Sequence, residues 1–162
     1  MRRIFRFVDF GKLFREKPSA VAIVNGSREY PEIHGIVRFY KVQSGVIVRS
    51  EFEGLPAGSG GCDSPVFGFH IHRVGDCSQS FSRAKGHYGS ESCPHPYHAG
   101  DMPALFSASG RAVCVFLTNR FTIEEIIDKS VIVHSMPDDF QTQPSGNTGA
   151  KIACGIIVRG RR

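Results

Sequence analysis

Histidines are concentrated in one stretch of this 162-residue chain. Five of the seven lie between Gly68 and Asp101, a sixth is His134, and only His34 stands apart. Imidazole is neither a good core filler nor a common surface group, so packing alone does not explain such a concentration. Neutral imidazole is, however, the commonest metal ligand among side chains. The pattern therefore predicts metal binding.

Two of these histidines, His70 and His72, fall in an apolar run, 65–72, that is typical of a β-strand. Side chains two residues apart on a strand point to the same face, about 7 Å from each other, so both rings can converge on one ion. With His134, at the end of another apolar run, they offer nitrogen donors that suit copper or zinc. An isolated His-x-His pair would more often be two exposed polar residues, but the other histidines favour a metal site.

The segment 73–109 has hardly any regular pattern and is rich in Gly, Ser, Pro, His and Cys. A loop this long within a compact domain is usually functional or disordered. Its candidate ligands are three histidines and one carboxylate: His87, His95, His98 and Asp101. Such a set suits a closed tetrahedral zinc site, and the ion would supply order that the loop's own packing cannot.

The rest of the chain is a series of short β-rich runs separated by turns, in keeping with 18 Gly and 9 Pro. The runs are 20–24, 33–42, 45–53, 65–72, 111–118, 130–135 and 152–158, with one helical turn or loop at 123–127. We predict an all-β fold, a Greek-key barrel or sandwich of about eight antiparallel strands with long metal-binding loops. It would span residues 20–162, after an N-terminal extension of residues 1–19.

Charge and hydropathy argue against two classes of partner. The net charge is +5, but Lys and Arg are dispersed outside the termini, and no basic motif interleaved with aromatic residues indicates nucleic-acid binding. Nothing approaches the roughly 20 apolar residues of a membrane span. Arg6, Asp9 and Lys12 interrupt the apolar residues of the extension, which therefore lacks the core of a signal peptide. We expect the extension to pack a few phenylalanines onto the domain, the alternative being a helix on a membrane or a partner.

The five cysteines, at positions 62, 77, 93, 114 and 154, include no Cys-x-x-Cys pair. That argues against a zinc ribbon and against a thioredoxin-like motif. Their odd number allows one or two disulfides and a leftover thiol, and spacing alone does not identify the partners.

Seven short stretches occur in an order that resembles the Cu/Zn superoxide dismutase family. They are GFHIH (68–72), GDC (75–77), GH (86–87), HAGD (98–101), VIVHS (131–135), PDD (137–139) and GNTGAKIACG (146–155). Together they cover roughly residues 20–160, and the final third looks like the bacterial branch of the family. The resemblance implies a copper and a zinc site.

The resemblance also assigns the ligands. The implied copper ligands are His70, His72, His87 and His134. The implied zinc ligands are His87, His95, His98 and Asp101, so that His87 bridges the two metals. Asp138 would join a copper-ligand histidine to a zinc-ligand histidine and fix their tautomers. Cys77 and Cys154 would form the family disulfide, the alternative being two buried free thiols.

The implied activity is disproportionation of superoxide to dioxygen and hydrogen peroxide at a copper that alternates between Cu(II) and Cu(I). His87 would donate a proton, and Lys151 would stand beside the copper, where the family usually has Arg. The alternative is a noncatalytic copper- and zinc-binding protein that buffers or delivers metal on the same fold. A homodimer is left open. So is the compartment, because a disulfide favours an oxidising space while the absent export signal favours the cytosol unless a signal was removed.

Three departures from the family pattern affect these expectations. Lys151 keeps the positive charge but lacks the planar fork of Arg, so we expect weaker orientation of the anion. The preceding loop, 140–150, is short and uncharged. Only two residues separate His95 from His98, which leaves open whether both reach the zinc. Cys93 is an alternative ligand, although a free thiol or a disulfide with Cys62 is the simpler expectation.

Overall fold

The computed structural model of the protein describes residues 8–58, 65–90 and 92–160 and consists mainly of β-strands. The strands are β1 (Ala20–Gly26), β2 (His34–Val42), β3 (Gly45–Glu53), β4 (Val66–Phe67), β5 (Phe69–His72), β6 (Leu105–Phe106), β7 (Ala112–Thr118), β8 (Ser130–His134) and β9 (Lys151–Arg159). The helices are single turns, α1 (Phe10–Leu13) and α2 (Ile123–Ile126), and a 3-10 turn occupies Ser82–Ala84.

Seven strands form one curled antiparallel sheet in the order β5-β8-β9-β1-β2-β3-β7. The strands β4 and β6 form a separate antiparallel pair. Neighbouring strands β1, β2 and β3 are consecutive in the chain, but the chain then passes to the far edge at β5, returns to β7 and crosses again to β8. Such long returns are typical of Greek-key connections. The predicted all-β class is confirmed.

The curled sheet encloses its core by alternation along each strand. In β1, Ala20, Ala22 and Val24 have no exposed surface, whereas the intervening Ile23 is 58% exposed. Aromatic rings from opposite sides of the barrel meet edge to face, as Phe52 and Phe69 do at 5.7 Å between ring centroids. Edge-to-face pairing of this kind adds about 0.5–1.5 kcal/mol to the burial of the rings.

The predicted strand at 65–72 divides at Gly68 into β4 and β5. The Gly68 N–H donates to the carbonyl of Met136 at 2.8 Å, and its carbonyl accepts from the N–H of His134 at the same distance. A Cβ at this position would overlap the side chain of Thr148. The strand therefore divides because the backbone at Gly68 lies very close to Met136 and Thr148. The same contacts align β5 with the end of β8. The strand β6 was missed because two residues are too few to show alternation.

The described part of the N-terminal extension packs an aromatic ring onto the sheet. Phe14 lies 5.5 Å from the ring of Tyr40, and the guanidinium of Arg49 lies 4.6 Å over the Phe14 ring. Residues 1–7 lie outside the described residues, so the domain boundary at position 20 stays a prediction. No helix in the described ranges is long and apolar enough to cross a bilayer.

A disulfide joins Cys77 to Cys154 and ties the long loop to β9. The predicted pairing is confirmed. Cys93 and Cys114 are free thiols. Cys62, a candidate partner for Cys93, lies outside the described residues.

Candidate metal centre

The strand β5 positions the first histidines because it pairs on both of its edges. On one edge it pairs with β8, and a register shift at the end of β8 sets the position of His134. On its other edge, single β-bridges place His87 opposite His72 and Asp101 opposite His70. Residues far apart in the chain are thus gathered around one strand.

Backbone hydrogen bonds hold the long loop against that second edge. The Ile71 N–H donates to the carbonyl of Gly100 at 2.9 Å, and the Ile71 carbonyl accepts from the Tyr88 N–H at 2.8 Å. Gly100 lies so close to β5 that a Cβ would overlap the Ile71 carbonyl. The glycine of the HAGD motif therefore allows the loop to approach the strand.

The first group of candidate ligands comprises His70, His72, His87 and His134. One potential ligand atom from each lies within 4.8 Å of the others, and all four residues are buried. Among the described residues, the Nδ1 of His70 and the Nε2 of His87 have no hydrogen-bond partner, while the Nε2 atoms of His72 and His134 face each other at 3.2 Å. Four imidazoles therefore converge on one point.

The second group comprises His87, His95, His98 and Asp101, again with one ligand atom from each within 4.8 Å of the others. His87 Nδ1 lies 2.7 Å from Asp101 Oδ1. The Nδ1 atoms of His95 and His98 lie 3.1 and 3.3 Å from Asp101 Oδ2, without hydrogen-bond geometry. The short spacing between His95 and His98 therefore does not prevent both from reaching the group. Cys93 belongs to neither group of described residues.

Asp138 links the two groups through the nitrogens that face away from them. One oxygen accepts from His70 Nε2 at 2.6 Å, and the other from His95 Nε2 at 2.8 Å and from the Phe140 N–H at 2.7 Å. Burial alone would raise the pKa of this carboxyl, but the hydrogen bonds from His70, Phe140 and His95 outweigh it and lower the pKa to about 2. An ionised Asp138 keeps a proton on each outer Nε2, which leaves the inner Nδ1 of both rings free to bind a metal.

Burial keeps three histidines of the first group, His70, His72 and His134, neutral. The pKa of His134 falls to about 3 because burial removes water from the ring and because His70 and His87 add unfavourable charge. Burial likewise lowers the pKa of His72 well below its ordinary value, with His134 and His87 contributing. The pKa of His70 is also lowered, chiefly by burial, although its bond to Asp138 opposes the shift. Neutral rings carry the lone pairs that a metal needs.

Lys151 lines a cavity of about 260 Å³ together with His72, His87 and His134. Its Nζ donates to the carbonyl of Lys85 at 2.7 Å and to that of Phe81 at 3.2 Å. Burial, and then the charge of Lys85, lower the pKa of Lys151. The ammonium group of Lys151 thus lies on the wall of the same cavity as three histidines of the first group.

The backbone around the centre contributes partners that the sequence did not indicate. The Lys85 carbonyl accepts from Lys151 and also from His72 Nδ1, at 2.7 Å, which turns His72 Nε2 inward. Gln143 bonds to the backbone N–H and carbonyl of His95, and Arg120 donates to the carbonyl of Pro96, which follows His95. A carbonyl carries no sequence signal, and neither Arg120 nor Gln143 lies in a recognisable motif.

The donor sets fit the predicted metals. Buried ring nitrogens without partners are costly unless an ion or a hydrogen bond satisfies them, and both groups present such nitrogens inward. Four imidazole nitrogens suit copper, whereas three imidazoles and a carboxylate are a common tetrahedral zinc set. The two groups could therefore hold copper and zinc, with His87 common to both.

The Greek-key sheet and the paired histidine groups define a two-site metalloprotein of the β-barrel class. The profile of the copper/zinc superoxide dismutase family (SODC) matches residues 33–157. The chain is 32% identical over 142 residues to superoxide dismutase [Cu-Zn] 2 of Aquifex aeolicus, covering 78% of this chain and 80% of that protein. The chain belongs to the copper/zinc superoxide dismutase family.

Two other relatives show the range of proteins that share the fold. The copper chaperone for superoxide dismutase of Rattus norvegicus is 28% identical over 155 residues, which cover 87% of this chain and 53% of the chaperone. The crystal structure of a double mutant of a SOD-like protein from Bacillus subtilis has a TM-score of 0.70 at 26% identity, covering 85% of this chain and 96% of that one.

Proposed function

We propose that the protein is an active superoxide dismutase, converting two superoxide ions and two protons into dioxygen and hydrogen peroxide. The proposed copper ligands are His70, His72, His87 and His134. The proposed zinc ligands are His87, His95, His98 and Asp101. Bound copper would supply one-electron redox chemistry, and bound zinc would supply a fixed positive charge without redox chemistry.

The observation that carries the proposal is the cavity that joins Lys151 to the first histidine group. A protein that only stores metal needs ligands but has no need for a cation at the mouth of the site. An ammonium group at that position attracts a small anion and raises its local concentration. The site therefore supports turnover of an anionic substrate.

His87 and Lys151 have separate roles in the proposed reaction. His87 Nδ1 faces Asp101, so its Nε2 is the atom that can hold a proton and deliver it to the peroxide product. Lys151 orients the incoming superoxide, and its two bonds to backbone carbonyls keep the ammonium at the cavity. Asp138 keeps the rings of His70 and His95 in the tautomer that presents Nδ1 inward.

The second candidate is a noncatalytic copper- and zinc-binding protein. Its support is the related copper chaperone, together with the loop 140–150, whose residues carry no charge that could guide superoxide. The two candidates share every ligand and differ in one expectation: only the enzyme consumes superoxide once copper is bound.

Metal reconstitution followed by metal counting and a superoxide-consumption assay separates the candidates. We expect protein loaded with copper and zinc to be active well above an equal amount of free copper. His134→Ala should abolish copper-dependent activity and keep zinc, whereas His34→Ala, at an exposed histidine outside both groups, should change neither. Full metal content without activity would reject the enzyme and favour the binding protein. Loss of zinc in His134→Ala would show that the ligand partition is wrong.

A further inference from the structure

The short turn that carries His95, His98 and Asp101 has its carbonyls directed at one exposed arginine. Arg120 Nη1 donates to the carbonyl of Pro96 at 2.9 Å, and the carbonyls of His98 and Asp101 lie at 3.4 and 3.5 Å. The first of these bonds is strong, and the other two are at the limit of hydrogen bonding. One guanidinium nitrogen thus faces three carbonyls of the turn.

Arg120 is well placed to hold that position because its neighbours are anchored. Its own N–H donates to Thr118 Oγ1 at 3.1 Å, where β7 ends. The next residue, Phe121, is buried in the core and packs edge to face against Phe39. The guanidinium therefore extends from a fixed part of the backbone.

Gln143 holds the other end of the same turn. Its Oε1 accepts from the His95 N–H at 2.9 Å, and its Nε2 donates to the His95 carbonyl at 2.7 Å. One side-chain amide therefore satisfies both backbone groups of a ligand residue, much as a neighbouring strand would. Gln143 comes from the loop before β9, so the turn is held from two distant parts of the chain.

We propose that Arg120 and Gln143 are positioning residues that hold the 95–101 turn in the conformation that binds zinc. Three carbonyl dipoles that point to one side repel one another unless a cation faces them, and Arg120 supplies that cation. Gln143 fixes the backbone of His95, so that its ring can meet both Asp138 and the second ligand group. The inference rests on the proposed zinc site and adds to it the groups that shape the turn.

Zinc affinity and the visible absorption of cobalt(II) in the zinc site test the proposal. Affinity would be measured by competition with a chelator, and cobalt(II) reports the geometry of its ligands through its absorption bands. Loss of an outer partner of a metal ligand weakens binding by about 10- to 100-fold, which is the loss we expect for Arg120→Ala and for Gln143→Ala. Arg120→Lys should recover part of the affinity, because an ammonium can reach Pro96 but cannot span the turn.

Arg111→Ala is the matched control, since Arg111 is an exposed arginine at the start of β7 that pairs only with the exposed Glu53 among the contacts described. It should leave zinc affinity and the cobalt spectrum unchanged. Urea unfolding of each metal-free variant separates a local effect from general destabilisation, and Arg120→Lys serves if Arg120→Ala does not fold.

The outcomes separate an error in the proposed zinc site from an error in the proposed role of Arg120 and Gln143. Wild-type protein that takes up no zinc would reject the proposed zinc site itself. If wild-type protein binds zinc but Arg120→Ala and Gln143→Ala bind it equally well and give the wild-type cobalt spectrum, the positioning role is wrong. Equal losses in Arg111→Ala would also overturn it.

Discussion

Asp138 is the residue at which both ligand groups can be perturbed together. Its side chain has no exposed surface, and it accepts from His70 Nε2 at 2.6 Å and from His95 Nε2 at 2.8 Å. Asp138→Ala would leave two buried ring N–H groups without acceptors, each costing about 1–3 kcal/mol. Loss of such an acceptor also weakens metal binding by about 10- to 100-fold. We expect Asp138→Ala to weaken copper and zinc binding in the same protein.

Asp138→Asn gives a sharper result than removal of the side chain. An amide retains one acceptor oxygen but presents an NH₂ group at the other position. The ring facing that NH₂ must move its proton from Nε2 to Nδ1, the nitrogen that faces the metal. The other ring keeps its acceptor. We therefore expect Asp138→Asn to weaken one metal strongly and to spare the other.

Chelator competition for each metal is the assay, with urea unfolding of the metal-free variants measured alongside. Asp139→Asn is the control, since this adjacent carboxylate bonds to Gln141 and Thr142 rather than to a ring, and the amide keeps an oxygen for their N–H groups. It should leave both affinities unchanged. Wild-type affinities for both metals in Asp138→Ala would refute the reasoning, since the two rings would then be oriented without Asp138.

Two further predictions concern charge. Lys151→Arg should raise the rate of superoxide consumption at low ionic strength, because a guanidinium can donate to the carbonyls of Phe81 and Lys85 and still present an N–H to the anion. Added salt should reduce this gain. An unchanged rate would mean that Lys151 does not face the anion. The metal-free protein should lose stability as the pH falls from 6.5, the ordinary pKa of histidine, towards the folded pKa of His134, about 3. The unfolded state takes up more protons in that interval, so protonation favours unfolding. The temperature midpoint of thermal unfolding, followed across that pH interval after chelator treatment, measures this loss of stability. A midpoint that does not change with pH would contradict the prediction.

The candidate ligand residues could be selected from the sequence because metal binding restricts residue type strongly, and the fold brings them together in two groups. The His-x-His spacing requires only the alternation of a strand, and β5 provides it at His70 and His72. The strand runs were equally predictable, since β2, β3 and β7 begin and end within one residue of the predicted runs 33–42, 45–53 and 111–118. The division at Gly68 was missed, because it depends on how closely Met136 and Thr148 approach.

The spacing of His95 and His98 could not show whether both side chains reach the second ligand group, because spacing limits the distance between two residues but does not set the backbone conformation between them. Two intervening residues are few for a loop that must wrap around an ion. They are enough for a tight turn, in which the Tyr97 N–H donates to the carbonyl of Pro94 at 2.8 Å. A second turn follows, in which the Asp101 N–H donates to the His98 carbonyl at 3.2 Å.

Such a turn gathers its carbonyls on one side, and it needs partners there that are distant in the sequence. Arg120 follows β7 and Gln143 precedes β9, so the turn has these contacts only when distant parts of the chain are folded against it. Bound metal is therefore expected to contribute differently to the order of the two groups. The histidines of β5 and β8 are already held by the sheet, whereas residues 95–98 are held by side-chain contacts from Arg120 and Gln143. Removal of metal should therefore loosen His95 and His98 before His70, His72 and His134.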